Sequence, residues 1–188
     1  MKELNHLAEI FEKYDTFVID LWGVVHNGVA LNPNAIEAVD QLKKNSKKIV
    51  FLSNAPRPSL KVINFLQNMK MDNRYLENVM TSGEAAMHAI NQKKFGNTFY
   101  HLGPTRDTSI FEKLKDNKTD LQSCDFILCT GLFEDYENDL DYYKKILLKH
   151  ISKKLICTNP DLIVHRGNIE ELCAGSVAKV FEDLGGEV

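Results

Sequence analysis

Asp20 follows the apolar run Phe17-Val18-Ile19 and leads through Leu21-Trp22 into Gly23-Val24. A short β-branched and aromatic run bounded by turn residues reads as a parallel-sheet strand buried on both faces. Ligands of open parallel sheets bind in the crevice beyond the carboxyl ends of the strands, so Asp20 is placed where chemistry can occur. A carboxylate there can be a nucleophile, a metal ligand or both. An aspartate in the same place can also merely cap the turn that follows. A second apolar run, Lys48-Ile49-Val50-Phe51-Leu52, ends on Ser53-Asn54. Strand, helix and strand over this length imply a parallel crossover, which brings Ser53 and Asn54 to the same sheet edge as Asp20. Arg57, in the break Ala55-Pro56-Arg57-Pro58, is a candidate partner for an anionic substrate or else a solvated loop cation. His26, in the turn His26-Asn27-Gly28, reads as a loop histidine.

The elements that must position these groups are legible in the same pattern. Leu4, Leu7, Ile10 and Phe11 predict an amphipathic entry helix over residues 4–14. Asn32-Pro33-Asn34 caps a helix with an apolar face of Ala35, Ile36, Val39 and Leu42. Pro58 opens a helix bearing Leu60, Ile63, Phe65, Leu66 and Met69. From about Val79 the organisation starts afresh, with Thr81-Ser82-Gly83-Glu84 as a capped helix start. Strands are expected at 98–102, 125–129 and 154–157, separated by helices around Ile110, Phe111 and Leu114 and around Leu140, Tyr143, Ile146 and Leu147. Thr158-Asn159-Pro160-Asp161 reads as a turn. A helix from about Gly175 to Leu184 follows, closed by Gly185-Gly186, with a further strand expected to begin at the end of the chain.

Composition narrows the function classes. Of 188 residues, 44% are hydrophobic and 26% charged, the balance of a globular domain with a sizeable core. A net charge of −3 and a pI near 6.1 supply no basic footprint for nucleic acid, so a small-molecule ligand is expected. No apolar run reaches membrane-spanning length and the start, Met1-Lys2-Glu3-Leu4-Asn5-His6, lacks the form of a signal peptide, so no membrane partner and a cytoplasmic location are expected. Cys124, Cys129, Cys157 and Cys173 lack close-paired ligand spacing and read as buried free thiols.

Asp20 in Asp-Leu-Trp-Gly-Val, the Ser53-Asn54 strand end, a second unit inserted after it and Thr158-Asn159-Pro160-Asp161, in that order, resemble the haloacid dehalogenase superfamily. Within it the order of motifs resembles the class IIA capped phosphatases, over nearly all of residues 15–188. The resemblance implies a Rossmann-like α/β core of parallel sheet, incomplete at its C-terminus, with an inserted α/β cap. On this expectation 1–78 form the first part of the core, 79–161 the cap and 162–188 the return to the core. It also implies a phosphomonoesterase for a small phosphorylated metabolite, working through an aspartyl-phosphate on Asp20. Ser53 would donate to the transferring group with Asn54 beside it, Mg²⁺ would sit between the Asp20 carboxylate and the backbone carbonyl of Trp22, and copies could pair through the cap.

Two departures bear on turnover. The family usually carries a second aspartate two residues after the first, as general acid and base; this chain has Trp22, whose indole N–H cannot exchange a proton at neutral pH. The family's third-motif lysine and fourth-motif Gly-Asp stretch follow the cap, and this chain ends first. A non-catalytic phosphoryl-binding or interaction module, or one part of a split hydrolase, is therefore the competing expectation. A phospho-acceptor receiver domain is disfavoured by the insertion, since a receiver needs no cap. The substrate is not written in the sequence, because cap loops select it by shape.

Overall fold

The computed structural model describes Leu4 and residues 6–188; Met1–Glu3 and Asn5, part of the expected polar start and entry helix, lie outside the described residues. The chain is α/β, with two separate parallel sheets. It divides into two compact units. One holds the residues up to Ser53 together with Ile63–Met80, and the other holds Asn54–Val62 with Thr81–Val188.

In the first unit the entry helix is a single turn, α1 (Ala8–Phe11), followed by β1 (Thr16–Ile19). Helix α2 (Pro33–Lys44) starts as its sequence dictates: Asn32 is the cap, its side chain accepting from the Asn34 amide, and Pro33 fills the first position, where no amide hydrogen is needed. It leads into β2 (Lys48–Ser53), which runs parallel to β1 with Phe17 opposite Ile49 and Ile19 opposite Phe51. Helix α3 (Ser59–Asn68) begins directly after Pro58, its residues 59–62 counting with the second unit and the rest with the first, and β3 (Val79–Thr81), whose last residue likewise counts with the second unit, completes the sheet order β1-β2-β3. Those three residues, expected to open the inserted unit, therefore belong to the first sheet. Val39, Leu42, Ile49, Phe51, Leu66 and Leu76 are buried in this unit. The expectation that its strands are buried on both faces does not hold. Val18 is 64% and Leu52 51% exposed, and the register puts both on the face opposite Phe17 and Phe51. Leu60, expected on the apolar face of α3, is also exposed.

The second unit begins with α4 (Ser82–Asn91), capped by the Thr81 hydroxyl accepting from the Glu84 amide at 3.0 Å. Its sheet comprises β4 (Phe99–Leu102), β5 (Phe126–Cys129) and β6 (Lys154–Cys157), all parallel, with β5 central. Between β5 and β6 lies α5 (Leu140–Leu147). The helix expected around Ile110 and Leu114 is instead a pair of 3-10 segments, 105–110 and 112–117, broken where Leu114 leaves helical geometry at φ −122°. A hairpin not expected from the sequence follows β6: β7 (Ile163–Arg166) and β8 (Ile169–Leu172), joined by Gly167-Asn168 with Gly167 at φ +60°.

Helix α6 (Ala174–Asp183) closes the unit. Its Ala174, Val177, Ala178 and Phe181 share one buried cluster with Leu102, Ile127, Cys129, Tyr143, Leu147 and Leu155. The expected return of 162–188 to the first unit is thus not what the packing gives, because the apolar face of α6 is used up on the second sheet. Ile90, Phe99, Ile110, Phe111, Phe126 and Leu128 fill a second cluster. Since Ile127 and Cys129 alternate with Phe126 and Leu128 along β5, the two clusters lie on opposite faces of the sheet. Of the further strand expected at the end of the chain the structure shows one isolated bridge, Glu187 to Lys154, with the Leu155 amide donating to the Glu187 carbonyl at 2.9 Å.

Candidate active site

Asp20 lies one residue beyond β1 and is exposed; Ser53 is the last residue of β2, is buried, and alternates onto the same face as Phe51. Because the two strands are parallel neighbours in register, both groups stand at the carboxyl edge of one sheet. The loop after Asp20 is tightly built. The Leu21 carbonyl accepts from the amides of Val25 and His26, at 2.8 and 3.1 Å, and the Gly23 amide donates to the His26 carbonyl at 2.8 Å. Gly23 sits at φ +80°, a region that costs a residue with a Cβ, which accounts for the glycine here. Trp22 packs with its ring edge-on to His26 at 5.1 Å, and His26 meets Phe65 at 5.5 Å. His26 Nδ1 accepts from the Gly28 amide at 3.0 Å, which places its own proton on Nε2. Burial lowers its pKa, so it is a neutral structural residue of this loop, in keeping with the sequence reading.

Asn54 and Arg57 belong to the second unit. The Asn54 side-chain amide donates to both carboxylate oxygens of Asp161 at 3.3 and 3.4 Å, long bonds for an exposed pair. Asp161 is itself positioned by its amide donating to Asn159 Oδ1 at 3.1 Å, so the Asn-Pro-Asp turn holds a carboxylate opposite Asn54. Arg57 is not a solvated loop cation. Its Nε donates to Asp107 Oδ1 at 2.7 Å, and the Asp107 side chain is only 3% exposed. Burial pushes the Asp107 carboxyl up, and the Arg57 guanidinium offsets part of that rise.

The loop carrying Arg57 is clamped by the start of α4. The Thr81 hydroxyl donates to the Arg57 carbonyl at 2.6 Å, the Ser82 hydroxyl faces the carbonyls of Ala55 and Thr158, and Glu84 Oε2 accepts from the Ser59 amide at 3.0 Å. Gly83 allows this approach, since a Cβ there would meet the Arg57 amide nitrogen at 2.4 Å. Asp107 was missed by sequence reasoning. Its signal is an acid shortly after the strand-ending Gly103-Pro104, but its partner lies fifty residues away.

The model of the haloacid dehalogenase-like hydrolases matches residues 17–115, just over half of the chain and including Asp20, Ser53 and Arg57. The chain belongs to this family. Among solved structures, a haloacid dehalogenase-like hydrolase from Brucella suis 1330 superposes with a TM-score of 0.89 at 29% identity, covering 98% of this chain and 68% of that one. A 4-nitrophenylphosphatase from Thermotoga maritima gives 0.69 at 25% identity, covering 95% and 67%. NagD from E. coli K-12 gives 0.64 at 18% identity, covering 93% and 67%, and shows the fold alone. No curated protein matches the sequence. The chain therefore spans about two thirds of each of these neighbours.

Haloacid dehalogenase-like phosphatases use a divalent metal, and the residues here can be tested for it. Asp20 and the Trp22 carbonyl offer two hard oxygen donors on one loop, whereas no group of three or more His, Cys, Asp or Glu side chains converges among the described residues. Mg²⁺ takes one or two carboxylates and ordinarily keeps several waters, so the donor chemistry fits that ion with most of its shell left to water. No helix of the described residues is long and apolar enough to cross a membrane.

Proposed function

We propose that Asp20 is the nucleophile of a phosphomonoesterase site for a small phosphorylated metabolite, and that the second unit is its cap. A carboxylate oxygen of Asp20 attacks phosphorus, the bond from phosphorus to the leaving oxygen breaks, and water later hydrolyses the aspartyl-phosphate. Ser53 donates its hydroxyl to a phosphoryl oxygen, and Asn54, next to it in the sequence, is the candidate for a second donation. The Asp20 carboxylate and the Trp22 carbonyl would hold Mg²⁺, which would supply charge offsetting the repulsion between two anions. The cap excludes water and supplies recognition groups. What carries this reading is the placement of Asp20 and Ser53 at the ends of neighbouring parallel strands.

Trp22 supports a second reading, a site that binds phosphoryl groups without turning them over. Packed edge-on to His26, it stands where the family's general acid belongs and leaves the departing oxygen to take its proton from water. The test is hydrolysis of 4-nitrophenyl phosphate with Mg²⁺ by the chain and by its Trp22→Asp variant. A restored acid should raise the rate by about a hundredfold, and Asp20→Asn placed on top should abolish the gain. No gain from Trp22→Asp would remove the enzymatic reading and leave the binding one.

A further inference from the structure

The second unit carries an open concavity of about 720 Å³ whose lining is dominated by cations. Arg57, Lys61, Arg106, Lys115 and Lys118 face it against the single carboxylate of Glu112. All of these residues belong to the second unit, while Asp20 and Ser53 belong to the first. The protein as a whole is acidic, with a net charge of −3, so this concentration of positive charge is local and runs against the overall balance.

The cations are only partly compensated, the Arg106 charge acting on the carboxyls of Asp107 and Glu134. Arg57 is held by Asp107 beneath it, and Lys118 lies over the Phe111 ring at 5.7 Å. Lys61, Arg106 and Lys115 are exposed and make no ion pair with the described residues. Like charges gathered in one concavity repel one another, and a multiply charged anion relieves that repulsion while collecting several charge-assisted bonds at once. The hydroxyls of Thr108 and Ser109 add neutral donors to the same wall.

We infer that this concavity is a binding site for a small polyphosphorylated anion, with at least two adjacent phosphoryl groups, built from residues other than Asp20 and Ser53. Size and charge agree: the volume lies within the range of small-molecule sites, and five cations around one space exceed what a single phosphate can neutralise. The inference does not rest on catalysis by Asp20, because none of the lining residues is shared with that strand end.

The experiment is calorimetric titration of the full chain with inorganic pyrophosphate and, separately, inorganic phosphate, both in EDTA so that no metal-dependent turnover intervenes. One equivalent of pyrophosphate should bind at least about tenfold more tightly than phosphate, with affinity falling as salt is raised. Arg106→Glu with Lys115→Glu should weaken pyrophosphate by about tenfold or more, and Glu112→Gln should strengthen it severalfold. The exposed positions of these side chains leave the fold intact, which an unchanged thermal melt will verify. Asp20→Asn should bind pyrophosphate as the parent does. Binding unaffected by the double charge reversal, lost in Asp20→Asn, or equal for phosphate and pyrophosphate would each overturn the inference.

Discussion

The two parallel sheets of this chain are built from similar apolar strands but are covered differently. In the second unit every residue of β5, Phe126–Cys129, is at most 1% exposed, because helices and 3-10 segments fill both faces. In the first unit β2 alternates, and Val18, Leu52 and Met80 leave one apolar side chain of each strand in solvent, at 64%, 51% and 56%. Parallel strands are ordinarily covered on both faces, and a contiguous apolar surface marks a place where other structure packs. The second sheet thus carries its own core, while the first presents the Asp20 edge on a half-covered support. Stability should follow the second unit and chemistry the first.

The largest expected effect is on the second core. Ile127→Ala empties a fully buried site between α5, α6 and the sheet and should cost about 3 to 4 kcal/mol in urea unfolding. A loss under about 1 kcal/mol would mean that this core is looser than its burial suggests.

Next comes a pH effect in the same unit. His101 is buried, its Nε2 lies 2.9 Å from the Thr130 hydroxyl, and burial followed by the Lys118 charge lowers its pKa to about 4. The folded state therefore prefers the neutral ring. Its contribution is fully present above the unfolded pKa of about 6.5 and is lost as pH falls from there toward 4, by at most about 3 kcal/mol. His101→Gln should flatten that part of the stability curve; an unchanged slope would assign it to other groups.

A smaller effect, of opposite sign in pH, is expected at the clamp on the Arg57 loop. Arg57→Met leaves the buried Asp107 carboxylate without its cation. The cost should be about 1 to 2 kcal/mol near neutrality, less than for a fully buried pair because Arg57 is itself 37% exposed. The Asp107 pKa, already raised by burial, should rise further, so the deficit shrinks on acidification as the folded state takes up a proton. A deficit independent of pH would show that packing, not charge, holds this loop. Smallest of all, Val18→Thr on the bare face of the first sheet should stay within about 0.5 kcal/mol of the parent. A cost like that of Ile127→Ala would show that the face is covered in solution and would end the contrast between the two sheets.

Much of this was legible before any coordinates. Asp20 and Ser53 end apolar runs, Asn32-Pro33 opens α2, and the β6 span is found where composition puts it. Those are local signals, in which a residue type matches a backbone requirement. What failed was long-range. An apolar run does not say how many of its faces will be covered, so β1 was expected to be buried throughout. The apolar face of α6 reads the same whichever sheet receives it, so 162–188 was expected with the first unit. The β7–β8 hairpin did carry a local signal, Gly167-Asn168 as a two-residue turn, but its strands are half polar, mostly exposed and lack a period-two apolar pattern. At the candidate site the polar strand ends were readable, whereas the Asp107 partner of Arg57 was not, because pairing across fifty residues is set by the fold.

On the proposed reading the Asp20 strand end receives a phosphoryl group. Fluorine NMR of the full chain with Mg²⁺ and beryllofluoride, which mimics a phosphoryl group on an aspartate, tests it without requiring turnover. A set of bound resonances should appear that disappears in Asp20→Asn, weakens in Ser53→Ala and persists in Arg106→Glu with Lys115→Glu. Bound resonances that survive Asp20→Asn, or none in the parent chain, would contradict it.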